Sequence, residues 1–184
     1  KQVELGAVGD KVEALALADD GTVAVCGGLP APKPFTDVDV AVWLVRPGQA
    51  KKLRRFDYKP IGDDKAHRFF ETARDCVFSG GTLGVVGEAH GPHGPDEVLR
   101  DRSFLLEHDP IEGSADWTVA GPGPGSDTQS RAFAVDVDDQ GRYLLAGFSC
   151  GDDCNATGEY RVYAPGGKLE WDGSLGPLGS DLAG

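Results

Sequence analysis

Two histidines and two carboxylates stand within eight residues at His90-Gly-Pro-His93-Gly-Pro-Asp96-Glu97. Imidazole and carboxylate donors suit zinc or copper, but this spacing matches no closed ligand set. The plainer expectation is a polar loop between a second and a third strand. Asp136, Asp138 and Asp139 alternate through a strand and its turn, and Asp152 and Asp153 fall in a later loop. Oxygen donors of this kind are calcium chemistry, yet none follows the EF-hand pattern. They read first as solvated turn carboxylates, with calcium at Asp152 and Asp153 as the alternative; no other cofactor is expected.

The thiols come next. Cys150-Gly-Asp-Asp-Cys154 would close a small loop if oxidised, and a disulfide there is expected ahead of a free pair or a metal site. Cys26 and Cys76 fall in apolar runs and are expected as small buried side chains. A bond between them is the lesser reading, because packed sheets lie about 10 Å apart and a disulfide needs Cα atoms about 5.5 Å apart. No Gly-x-Ser-x-Gly elbow or phosphate-binding glycine loop occurs. Carboxylates are too numerous for any two to be nominated as acid and base, so no catalytic residue is assigned.

Charge narrows the partners. The net charge of −12 excludes a nucleic-acid footprint, which must be basic. Lys51-Lys-Leu-Arg-Arg55 is the one basic run, and it suits an outermost strand protected against edge-to-edge pairing. No segment approaches the roughly 20 apolar residues of a membrane span. The composition has 27 Gly, 12 Pro and no Met, and its scarcity of Ile and Asn suggests a GC-rich bacterial genome. We read the chain as an excised piece of a longer exported protein, extracellular, periplasmic or on the cell surface.

These residues need elements to hold them, and an internal repeat supplies them. Val12–Gly27, Thr72–Gly87 and Ala132–Gly147 align without a gap at an offset of 60. Gly21, Gly81 and Gly141 coincide, as do Gly27, Gly87 and Gly147. Each copy reads as a strand, a tight turn with the Gly that positive φ requires, and a second strand. A further apolar pair follows in each: 40–45 with 51–56, 102–107 with 115–119, and 159–163 with 167–171. Four strands per copy make one antiparallel blade. The predicted fold is therefore all-β: a partial β-propeller of three four-stranded blades, about 11–62, 63–126 and 127–179, with 1–10 and 180–184 belonging to flanking blades.

The run of an apolar strand, Asp-x-Gly, an apolar strand ending in Gly, a variable loop, and Pro165-Gly-Gly-Lys-Leu-Glu-Trp171 resembles bacterial secreted and surface β-propeller repeats, myxobacterial ones especially. The second copy departs from that pattern at Asp75-Cys76. The resemblance implies a fold and not an activity. The expected function is a non-catalytic extracellular binding or scaffold module for a protein or glycan, presenting loops at 28–38, 88–101 and 148–158. The alternative is part of a propeller enzyme or cofactor protein with its site at the central channel. Three blades do not close a ring, so the remaining blades or a second copy are expected as partners.

Overall fold

The structure, a computed structural model, describes residues 11–32, 37–58, 69–93, 98–119, 129–151 and 156–177. Among these residues there are twelve strands and no helix, and so no helix long and apolar enough to cross a membrane. The first sheet contains β1 (Lys11–Leu17), β2 (Val23–Pro30), β3 (Val38–Val45) and β4 (Lys52–Phe56). The second contains β5 (Phe70–Ser79), β6 (Thr82–His93), β7 (Val98–His108) and β8 (Ala115–Val119). The third contains β9 (Gln129–Val137), β10 (Tyr143–Cys150), β11 (Thr157–Ala164) and β12 (Lys168–Pro177). Each sheet is antiparallel in sequence order.

Local chemistry explains the elements. The β3 sequence Val-Asp-Val-Ala-Val-Trp-Leu-Val is rich in β-branched residues and buried along nearly its whole length, as a strand covered on both faces should be. By contrast, β4 carries Lys52, Arg54 and Arg55 and lies at the sheet edge, where charge discourages further pairing. In the first and third sheets the opening turns match. Gly21 (φ 79°) donates to Ala18 O at 2.9 Å, and Gly141 (φ 78°) donates to Asp138 O at 3.0 Å. The second sheet instead uses a two-residue turn in which Gly80 and Gly81 both have positive φ, the primed geometry that suits twisted hairpins.

That shorter turn corrects the gapless alignment. Gly27 pairs with Val12 and Gly147 with Ala132, but Gly87 pairs with Ala73, so β5 is one residue out of step. Each pairing adjoins a bulge, and there a Cβ on Gly27, Gly87 or Gly147 would fall 1.8–1.9 Å from the carbonyl oxygen of Lys11, Thr72 or Arg131. The second registered glycine of each copy therefore exists because a strand backbone crosses it too closely for any side chain.

The sheets stack in chain order, with β5 lying against β1, β2 and β3, and β9 against β5, β6 and β7. One core joins the first two sheets through Ala24, Cys26, Val40 and Val42 on one side and Phe69, Cys76, Val85 and Phe104 on the other. A second joins the next two through Val86, Leu105, Val135, Tyr143 and Tyr163. With the register corrected, Cys76 stands where Leu15 and Val135 stand in the other sheets, opposite Val85, Val25 and Leu145 respectively. Cys26 likewise matches Val86. The first interface thus carries a Cys26–Cys76 disulfide, Cα atoms 6.5 Å apart, at the positions that Val86 and Val135 occupy in the core of the second. This overturns the expectation of two unbonded cysteines. The 10 Å spacing describes sheet centres, whereas these inner strands, lined by Ala16, Ala24 and Ala73, come much closer.

Candidate functional site

The strongest concentration of chemistry lies at the rim of the first interface, where β2 leads into β3 and β4 leads into β5. Asp37 ends the β2–β3 connection, its carbonyl accepting the Ala31 N–H at 3.0 Å. Asp39 follows two residues later in β3, Asp57 stands just past the end of β4, and Glu71 is the second residue of β5. One carboxylate oxygen from each of Asp37, Asp39 and Asp57 lies within 4.8 Å of the others. Asp37, Asp39 and Glu71 are buried. Arg55 Nη1 lies 3.6 Å from Asp39 Oδ2 and donates to Pro30 O at 2.7 Å.

Glu71 enters this group from the second sheet. Its Oε1 accepts the Tyr58 N–H at 3.2 Å, one residue from Asp57, and its Oε2 finds no hydrogen-bond donor among the described residues. Burial, and then the carboxylates of Asp57 and Asp39, push its pKa up to about 9. An aromatic wall backs the group: the Tyr58 ring lies 5.0 Å from Phe69 and 5.4 Å from Trp117. At the second interface the position matching Glu71 is Ser130, whose Oγ accepts the Ser103 N–H at 3.0 Å. The carboxylates are therefore particular to the first interface.

At the opposite rim of the same interface a groove of about 300 Å³ runs between the turns, lined by Leu17, Asp20, Arg46, Phe78, Pro110 and Ile111 among others. Asp20 accepts the Thr22 N–H at 2.8 Å, which holds its carboxyl below the usual range. Leu17 and Ile111 are exposed.

The residues singled out from sequence fare differently. His90 lies in β6, not in a loop: the hairpin runs on to His93 and resumes at Val98, because Gly91 and Pro92 pair with Arg100 and Leu99. Its Nδ1 is 2.7 Å from Asp101 Oδ1, and Asp101 also accepts from Arg131 Nε at 2.8 Å. The His93 side chain, Asp96 and Glu97 lie outside the described residues, as do Asp152, Asp153 and Cys154. Cys150 is buried and is not a free thiol. Asp138 caps its own turn, accepting from Gln140 N at 3.0 Å and Arg142 Nε at 2.7 Å. The carboxylate group at the first interface was missed, because its members come from three separate stretches. The spacing Asp37-Val-Asp39, one carboxylate just before β3 and one within it, is the available signal.

No protein-family model matches this chain, and no curated protein matches it in sequence.

Proposed function

We propose that the three sheets are consecutive blades of a β-propeller, and that the chain serves as a non-catalytic binding or scaffold module of an exported bacterial protein. The observation that carries this reading is the repeated interface. Leu15 is 68% exposed, while Cys76 and Val135 at the matching positions are 5% and 8% exposed beneath a neighbouring sheet. On the far side, Tyr160 is 40% exposed where Val42 and Leu105 are fully buried. Leu15 and Tyr160 are thus exposed at positions that the other sheets bury, and further blades of the same kind would cover them. The Cys26–Cys76 bond supports an oxidising, extracellular setting.

The ligand of such a module is a protein or glycan, and the groove at Leu17, Asp20, Arg46, Phe78 and Ile111 is the surface best suited to it. Apolar side chains flanked by a carboxylate and a guanidinium supply stacking area and directional polar contacts together.

Light scattering on the purified chain tests the blade reading. The expected result is self-association, or co-purification with the polypeptide that supplies the missing blades; a stable 19.3 kDa monomer with no companion would refute it. A glycan and cell-envelope polysaccharide array tests the ligand reading. Binding should be lost in Ile111→Asp, and binding unaffected by Ile111→Asp and Phe78→Ala would place it elsewhere.

A further inference from the structure

We propose that the groove between the turns of the first and second sheets takes up an extended polypeptide segment carrying aliphatic and basic side chains. This rests on the reading of that groove as the ligand surface, and it names the ligand as a peptide rather than a glycan, and a basic one.

The apolar part of the groove comes from both sheets: Leu17 from β1, Phe78 from β5, and Pro110 and Ile111 from the β7–β8 connection. Leu17 is 71% and Ile111 79% exposed, so folding leaves this aliphatic surface in water, and a ligand gains by covering it. Gly80 and Gly81 also line the groove, and a Cβ built on either would meet nothing within 4 Å. A polypeptide backbone can therefore come close to that turn. The one ring in the groove, Phe78, is half-buried and offers little open face for a sugar to stack on.

Charge then selects among peptides. Asp19 and Asp20 line the groove, Asp109 and Glu112 adjoin Pro110 and Ile111, and Arg46 is the cation beside them. Four carboxylates thus stand against one guanidinium, and Asp19, Asp20 and Glu112 form no ion pair among the described residues. The Thr22 hydroxyl and N–H act on Asp20, and the Glu112 and Ile111 N–H groups donate to Asp109 Oδ1 at 2.9 and 2.7 Å; both carboxyls are held below their usual range and stay charged. The same bonds fix the two turns that wall the groove. Exposed charges act over a screening length of about 8 Å. This rim therefore attracts lysine and arginine, gives nothing to a neutral sugar and repels an anionic polysaccharide.

The test uses the full chain and short fluorescein-labelled peptides in which leucine alternates with lysine, serine or glutamate, followed by fluorescence anisotropy. At about 0.15 M salt the lysine peptide should bind about tenfold tighter than the serine peptide, the sum of a few exposed charge pairs, and the glutamate peptide should not bind measurably. At about 1 M salt, where the screening length falls to about 3 Å, the margin between lysine and serine should shrink below about twofold. Leu17→Ala/Ile111→Ala should weaken the lysine and serine peptides alike by about tenfold; both side chains are exposed, so the fold does not depend on them. Asp19→Asn/Asp20→Asn should weaken the lysine peptide about fivefold and leave the serine peptide unchanged. Asp136→Asn/Asp172→Asn, which neutralises exposed carboxylates of the third sheet, should bind like wild type and so separates the groove from the general attraction of an acidic chain. If lysine and serine peptides bind equally and both lose affinity in Leu17→Ala/Ile111→Ala, the groove stands as the ligand surface and the charge inference fails. If no peptide binds but a neutral oligosaccharide does, and loses affinity in the same variant, the groove belongs to a glycan and the proposal is overturned. If lysine-peptide binding is indifferent to Leu17→Ala/Ile111→Ala, the groove reading fails together with the proposal.

Discussion

Replacing Cys26 and Cys76 together by valine separates the covalent from the packing contribution of the first interface. The bond links residues 50 apart in sequence. Opening a loop of that length restores chain entropy to the unfolded state worth about 4 kcal/mol at 25 °C. Valine is the informative replacement because the matching positions of the second interface are Val86 and Val135, both buried. The two added side chains should regain part of the loss by burying about one extra methyl group each, up to ~1.5 kcal/mol together if packing allows. The net expectation is a loss of about 2.5–4 kcal/mol with the fold retained. In a 184-residue chain that corresponds to a fall in Tm of roughly 5–16 °C. Urea denaturation of oxidised wild type and of Cys26→Val/Cys76→Val, compared at equal slope, measures it. A double-valine protein within 0.5 kcal/mol of wild type would show that the bond constrains nothing. One that fails to fold would refute the equivalence of the two interfaces.

Other perturbations follow from the same contacts. Gly84→Ala places a Cβ 2.5 Å from the Tyr143 ring across the second interface, and should cost about 1–3 kcal/mol by chemical denaturation as that ring is displaced. Asp101→Asn removes the buried carboxylate shared by His90 and Arg131; because both partners reach solvent, the loss should be only about 1 kcal/mol, read as a shifted urea midpoint. His108 Nδ1 donates to Ser114 O at 2.8 Å, and burial lowers its pKa below 6.5. A depressed histidine pKa means that the unfolded chain binds the proton more readily, so stability present above pH 6.5 is lost as pH falls below it. Urea midpoints at pH 7 and pH 5 should therefore differ more in wild type than in His108→Asn, and equal differences would show that the ring does not titrate with folding.

The sequence by itself determined the strand pattern and the period. Gly21 and Gly141 turns, β-branched runs such as 38–45 and the charged edge at 52–55 are local signals, and each depends on residues within a few positions of one another. Local signals suffice because backbone φ preference and alternation act over a turn or a strand. What the tertiary structure decided is whatever depends on register and on stacking between sheets. A one-residue shortening at Gly80-Gly81 moved Cys76 into the contact reserved elsewhere for Val135, and only pairing shows that. The distance between Cys26 and Cys76 depends on how closely alanine-lined inner strands approach, which the average spacing of sheets does not reveal. The Asp37, Asp39, Asp57 and Glu71 group has no linear motif, because its carboxylates come near one another only when the start of β3, the end of β4 and the start of β5 meet at one rim. His90, conspicuous in the sequence, turned out to hold Asp101 across a hairpin, since strand pairing continued past the glycine and proline that had suggested a loop.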